Sequence, residues 1–289
     1  MFSNFLGDIF YNEPLSKHSS LKIGGLADFF IELEVATQLK DIINVSISRK
    51  MPILALGNGS NILFADKGFQ GIVIRLPKGI KQKNKNNLNI NAGSNLAELL
   101  SFCKNNDLGG LEFLTGIPGT IGGAIVTNAG AHNQSISDFI TNVLCFDLNS
   151  GKEVSFGKKD CEFGYRNSFF RNANEYIISN IDLQLSDIPF DQVKYADFFE
   201  RRSISNPKLP SLGSVFKNPS GYYAGALIEK YLGKGFKKGR VMISKEHANI
   251  FVNLGNATAK EFIDLIAITK KKVFKETNIL LEEEIIILK

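Results

Sequence analysis

Residues 111–134, LEFLTGIPGTIGGAIVTNAGAHNQ, hold five glycines and no charged residue after Glu112. Glycine backbone is costly to order and brings no side chain to bury, so such a stretch suits a place where something must lie against bare backbone. Loops of this kind are concentrated at binding sites. A second, shorter turn, GNGSN (57–61), sits between the apolar runs ILAL and ILF. It begins like GxGxxG, but the sixth position is Ile62, and no acidic residue follows about 20 positions on in a strand–helix setting, so the dinucleotide fingerprint fails. No Gly-Lys pair precedes Ser or Thr, which excludes a P-loop. Both stretches can be read as ordinary tight turns. Read instead as ligand loops, their N–H groups form an anion nest without formal charge, suited to a pyrophosphate with a flat ring beside it.

The chain's 289 residues suggest about two domains of roughly 150 residues each. A net charge of +5 is too mild to point to nucleic acid and suits small anionic ligands. No run approaches the roughly 18 apolar residues of a membrane span. The start has no basic leader and carries Asp8 and Glu13, so a cytoplasmic location is expected. Cys103, Cys145 and Cys161 lie far apart without CxxC and read as reduced core thiols. Three histidines lack metal-ligand spacing, so no metal is expected.

Leu39, Ile42, Ile43 and Ile47 predict an amphipathic helix over 35–51. ILALGNGSNILF predicts strand–turn–strand or strand–turn–helix, GIVIRL (71–76) a strand, and KGIKQKNKNN (78–87) a polar loop. Asn95, three residues before Glu98, opens a helix that Gly109 and Gly110 end. Strands are expected at 142–148 and 175–185. The segment 188–210, a short helix between prolines, marks a junction. Beyond it come strand GSVFK, helix AGALIEKYLG closed by Gly233, and strand ANIFVNL. A capping box of Thr258 and Glu261 then opens a long helix with Phe262, Leu265, Ile266, Thr269 and Val273 on one face. LEEEIIILK closes as a strand. This order is mixed α+β, with a break near residue 188.

HSSLKIGGLADFF (18–30), LGNGSNILF (56–64), FLTGIPGTIGGAIVTNAGA (113–131), FGYRNSFFR (163–171), LGSVFKNP (212–219) and LEEEI (281–285) follow one another in that order. Together they resemble the UDP-N-acetylenolpyruvoylglucosamine reductases, flavoenzymes that make UDP-N-acetylmuramate for bacterial peptidoglycan. The resemblance runs from residue 18 to 285. It implies an α+β fold with a two-subdomain FAD-binding domain of the vanillyl-alcohol-oxidase type over 1–187, split near 78–87. A smaller C-terminal α+β substrate domain would span 188–289. Only 48 positions separate Arg166 from Ser214, which is similar to the family's shorter subclass.

The resemblance further implies FAD as cofactor, held by Gly57, Asn58, Gly59, Ser60, Asn61, Thr115, Gly116, Pro118, Gly119, Gly122, Gly123 and Ala124. Arg202, or its neighbour Arg201, would lie near the flavin. NADPH would pass a hydride to flavin N5, and N5 would deliver it to the vinyl carbon of an enolpyruvyl ether. Negative charge then gathers toward the ether's carboxylate, and the enzyme must hold and protonate that enolate.

Arg166, in GYRNS, matches the family's catalytic arginine; a guanidinium fork pairs more strongly with a carboxylate as it gains enolate charge. Ser214, in LGSVFKNP, matches the proton donor. In a continuous strand, Lys217 would face away from it. Glu284 aligns with the C-terminal catalytic glutamate, its register against Glu282 resting on the following Ile285. The family commonly has a basic residue soon after this glutamate, where Ile286 and Ile287 stand. Lys217 and Asn218 match substrate-binding positions. GKGFKKGR (233–240) reads as a basic turn, either solvated or attractive to a nucleotide pyrophosphate, and His247 as a structural hydrogen-bonding residue. Taken without the family, Arg166, Ser214 and Glu284 read as surface or turn residues.

Two rival readings stand beside the reductase. One is an FAD-linked oxidase with oxygen as acceptor, which would have no enolate to stabilise. The other is a non-catalytic flavin or nucleotide module with a decayed site, although all three catalytic positions are filled. The partners expected are a UDP-sugar and NADPH, with no nucleic acid, no membrane and a monomeric chain.

Overall fold

The structure, a computed structural model, describes residues 7–288. Contacts divide the chain into two compact units, each discontinuous in sequence. The first holds residues up to Tyr11, Asp28–Gly57 and Gln70–Glu200; the second holds Asn12–Ala27, Asn58–Phe69 and the chain from Arg201 onward. The sequence reading divides the chain linearly at residue 188, whereas here two short N-terminal segments group with the C-terminal residues.

The first unit contains one whole sheet and most of another. One runs in the order Gly7–Pro14, Leu26–Leu33, Phe69–Arg75, Ile53–Ala55. Helix α1 (Leu39–Arg49) packs Leu39, Ile42 and Ile43 against Ile31, Leu33, Ile72 and Ile74. Ile47 was expected on that face but stays largely exposed. Ser46 takes the inward place, its hydroxyl donating to the Met51 carbonyl at 2.6 Å. The other sheet is antiparallel, in the order Glu153–Gly157, Ile140–Asp147, Tyr176–Gln184, Asn87–Asn91, Ile80–Gln82. Helix α2 (Leu96–Asn105) opens with the expected Asn95–Glu98 capping box. Helix α3 (Ile121–Thr127) lies within the glycine-dense stretch. Their apolar faces share one core with this sheet, including Leu99, Ile121, Ile125, Val143 and Ile181. The strand Ile80–Gln82 falls in the segment read as a polar loop. Its last two residues are exposed, so no apolar alternation marked it. Helix α4 (Gln192–Ser205) is the junction helix, and the division between the units falls inside it.

The second unit has an antiparallel sheet in the order Ser211–Ser214, Ile250–Asn253, Val241–Ile243, Lys237–Lys238. Helices α5 (Ala224–Tyr231) and α6 (Ala259–Thr277) belong to its core, where Phe216, Phe251, Phe262, Leu265 and Ile266 meet. The Thr258–Glu261 capping box and all five expected inward residues of α6 are present. ILALGNGSNILF resolves to strand–turn–strand, but its two strands do not pair with each other. Ile53–Ala55 runs parallel to Phe69–Arg75, and Ile62–Phe64 runs parallel to Ile286–Leu288. The basic turn at 233–240 is part of a hairpin that begins the strand Lys237–Lys238. Among the described residues, no helix is long and apolar enough to cross a membrane. All three cysteines are buried and unbridged, and burial pushes the Cys103 thiol up to about 12.

Candidate active site

Part of what crowds the glycine backbones is the chain itself. A Cβ on Gly57 would stand 2.5 Å from Thr120 Oγ1, so the two glycine stretches touch at this pair. Gly122 lets α3 pack on Ala92, whose Cβ would be 2.9 Å from a methyl there. The first N–H groups of α3 are already used. Ile121 donates to Ser94 O, Gly122 to Ala92 O, and Gly123 to the Thr120 hydroxyl. This end of the helix therefore has few donors left for an anion. Thr115 is buried, with its hydroxyl on Glu112 O at 2.6 Å, and Ala124 belongs to the core. What remains at the surface is Gly116 (φ 69), Pro118, half-buried Gly119 (φ 137) and Gly123. A Cβ on Gly123 would meet only Thr120 Oγ1, at 3.6 Å. The exposed part of the loop is thus uncharged, nearly bare backbone.

Arg166 sits on a four-residue turn closed by Asn167 N to Gly164 O (3.2 Å) and Gly164 N to Asn167 O (3.0 Å). It occupies the third position with φ 53, a left-handed place that usually takes Gly or Asn. For an arginine this costs about 1–2 kcal/mol, a strain that the surroundings must hold. They do so from the end of α3. Asn128 Nδ2 donates to Gly164 O at 2.9 Å, and Ser168 Oγ donates to Val126 O at 2.9 Å. The guanidinium lies 5.6 Å from the ring centre of the exposed Tyr165.

The second unit collects Asn58, Gly59, Ser60 and Asn61 with Ser214 and Glu284. Ser214 ends its strand next to a bulge, beside Gly213 at φ 72. Beyond it Val215 and Phe216 are both buried. Strict alternation therefore breaks, and the facing expected for Lys217 has no continuous strand to carry it. Residues 282–284 run beside 215–217. Glu284 N donates to Val215 O at 2.8 Å, Lys217 N donates to Glu282 O at 2.9 Å, and Phe216 bridges Glu283. Glu283 turns to Lys270 of α6 at 2.8 Å. Extended backbone alternates its side chains, so Glu282 and Glu284 share the opposite side. The turn at 57–61 is tied to the same place. Asn61 Nδ2 donates to Glu284 O at 3.3 Å, and Ile286 N donates to Asn61 O at 2.9 Å. Ser20 Oγ lies on Ser211 O at 2.6 Å and on Gly59 O at 3.3 Å. At Gly59 (φ 60) a Cβ would collide with the His18 carbonyl. Ile286 and Ile287 are committed to the strand beside Ile62–Phe64.

Half-buried Lys217 faces Glu282 at 3.6 Å. Asn218 accepts from Ala224 N at 3.0 Å and so caps α5. Arg202 is half-buried in the last turn of α4. His247 Nδ1 accepts from Asn249 N at 3.2 Å. Asn249 in turn grips Phe216 twice, through Phe216 N to Oδ1 (3.0 Å) and Nδ2 to Phe216 O (2.8 Å). In the hairpin, Lys237, Lys238 and Arg240 are exposed, and Lys234 pairs with Glu229 at 3.1 Å. Asn128 and Asn249 fall inside segments named from the sequence, but neither is among its candidate site residues. Asn128 carried a usable signal, an Asn ending a helix in the left-handed region. Asn249 carried none, because its partner lies 33 residues away.

Two family models match the chain. Residues 27–157 match the FAD binding domain, and residues 205–288 match the C-terminal domain of UDP-N-acetylenolpyruvoylglucosamine reductase. The reductase of Clostridioides difficile is 36% identical over 97% of this chain and 93% of its own length. That of Alkaliphilus oremlandii is 38% identical over 96% and 92%. The crystal structure of the Thermus caldophilus enzyme superposes with a TM-score of 0.81 at 31% identity, covering 98% of this chain and 99% of that one. Fold and site together define an FAD-dependent oxidoreductase of α+β architecture, with an FAD-binding domain followed by a second α+β domain. The chain belongs to the UDP-N-acetylenolpyruvoylglucosamine reductase family. At the uncharged surface of Gly116, Pro118, Gly119 and Gly123, a methyl added to Gly123 would have only Thr120 Oγ1 within 4 Å, so the residues present are compatible with a flat flavin ring there.

Proposed function

We propose that this chain reduces UDP-N-acetylglucosamine enolpyruvate to UDP-N-acetylmuramate at the expense of NADPH, in the cytoplasm, for peptidoglycan precursor synthesis. It would act as a monomer, with FAD held within 1–187 and the sugar nucleotide bound mainly by 188–289. The observation that carries the reading is the backbone pairing of Val215–Lys217 with Glu282–Glu284, which sets the chain that follows the Ser214 hydroxyl beside the chain that bears the Glu284 carboxylate.

Bound FAD supplies hydride transfer between NADPH and the enol ether. The rest is the work of side chains. Arg166 pairs with the substrate carboxylate and holds it more tightly as enolate charge develops. Glu284 polarises the carboxylate end, and Ser214 gives its hydroxyl proton to the carbon bearing that carboxylate. An alcohol is a weak acid, so the gain comes from holding the donor at the reacting carbon. Lys217 and Asn218 bind the nucleotide-sugar phosphates or carboxylate, while Arg202, or its neighbour Arg201, would lie near the flavin. Residues 57–61 and 115–124 line the cofactor. Their uncharged surface and left-handed glycines support that role.

The test separates the two half-reactions by stopped-flow spectroscopy. Arg166→Ala and Ser214→Ala should be bleached by NADPH at the wild-type rate and reoxidised by the enol ether at least about 100-fold more slowly. Full-rate reoxidation of both variants would remove the roles assigned to these two residues.

A further inference from the structure

We propose that Asn128 is a positioning residue for Arg166, an inference that rests on the catalytic reading of Arg166 above. Arg166 stands in a left-handed turn that arginine does not favour, so something outside the turn must hold it there. Asn128 is 6% exposed and ends α3, itself left-handed at φ 45. Its carboxamide is used at both ends. Nδ2 donates to the Gly164 carbonyl that opens the Arg166 turn, at 2.9 Å, and Oδ1 accepts from Ser137 N at 3.3 Å. Only a group with donor and acceptor on one carbon does both; a carboxylate would face the Gly164 carbonyl with another acceptor. The φ of residue 128 is open to Asn and Gly but strained for most residues. Asn therefore satisfies the backbone and the clamp together. The glycine-dense helix thus does more than present bare backbone, because its C-terminal end fixes the direction of the arginine.

The test uses Asn128→Gly, which keeps the left-handed backbone and removes the clamp. Four proteins are compared as flavin-loaded enzymes: wild type, Asn128→Gly, Arg166→Ala and the double variant. Asn128→Gly is expected to reoxidise on the order of 10- to 100-fold more slowly with the enol ether. Its reduction by NADPH and its visible spectrum should stay unchanged, while the loss of the partner of Ser137 N lowers its substrate-free thermal midpoint by several degrees. In the Arg166→Ala background it should add no further loss. Wild-type reoxidation by Asn128→Gly overturns the proposal, and so does a loss that multiplies that of Arg166→Ala. Full-rate reoxidation by Arg166→Ala alone overturns the catalytic reading instead, and the proposal with it. Asn128→Asp, which keeps the acceptor for Ser137 and loses the donor to Gly164, should behave like Asn128→Gly and takes its place if the glycine variant does not fold.

Discussion

Asn61 and Glu284 stand 223 positions apart, and the Asn61 carboxamide donates to the Glu284 carbonyl at 3.3 Å. The return contact, Ile286 N to Asn61 O at 2.9 Å, fixes the backbone on both sides of Ile285. One residue of the GNGSN turn therefore helps to set where the Glu284 carboxylate stands. Asn61→Ala should cost about 1 kcal/mol of stability, read as a lower urea midpoint with unchanged slope. It should also slow reoxidation by the enol ether more than reduction by NADPH. An equal effect on both half-reactions would place Asn61 in the cofactor site alone.

Gly59 and Gly123 are both cofactor glycines by the family resemblance, yet their surroundings differ. A methyl on Gly59 runs into the His18 carbonyl at a left-handed φ, whereas a methyl on Gly123 meets nothing closer than 3.6 Å. Gly59→Ala should unfold the protein or lower its thermal midpoint by many degrees. Gly123→Ala should fold normally and lose flavin affinity, measured by equilibrium dialysis. If Gly123→Ala retains flavin with wild-type affinity, no ligand lies close above that backbone.

Asn249 is nearly fully buried and satisfies both the N–H and the carbonyl of Phe216. Asn249→Ala leaves two buried backbone groups without partners, each worth about 1–3 kcal/mol. A loss of roughly 2–4 kcal/mol in denaturant unfolding is expected. A loss under about 1 kcal/mol would mean that water or a shift of the chain replaces the clamp.

Burial, with Lys234 nearby, holds the His247 imidazole below its ordinary value of 6.5, and its Nδ1 must stay unprotonated to accept from Asn249 N. A histidine whose folded pKa is lowered binds its proton less readily in the native state than in the unfolded chain. Its contribution is therefore whole above about pH 6.5 and is lost as pH falls through the lowered folded value. Unfolding free energy should decline from pH 7 toward pH 5, and His247→Gln should flatten that decline. An unchanged decline would assign it to other groups.

The long helices were legible because their signals are local. The Thr258–Glu261 box and the five inward residues of α6 lie within one continuous segment, and so do Asn95 and Glu98. The glycine stretch was legible as special, but the helix Ile121–Thr127 inside it was not. Its Gly122 is explained only by Ala92, which comes close through tertiary packing. The division of the chain into units was hidden for the same reason, since residues 12–27 and 58–69 join the C-terminal residues through long-range contacts. Arg166, Ser214 and Glu284 are proposed from motif order. Asn128, Asn249 and Asn61 bond the backbone of Gly164, Phe216 and Glu284, which lie 36, 33 and 223 positions away, and no local pattern encodes such links.

The most direct measurement is made without oxygen. The visible spectrum of the purified, FAD-loaded protein is recorded, NADPH is added, and UDP-N-acetylglucosamine enolpyruvate follows once the flavin bands have bleached. The sugar nucleotide should restore the bands, with one UDP-N-acetylmuramate formed per flavin reoxidised. Bands that return only when oxygen is admitted would contradict the reductase reading and make the chain an oxidase.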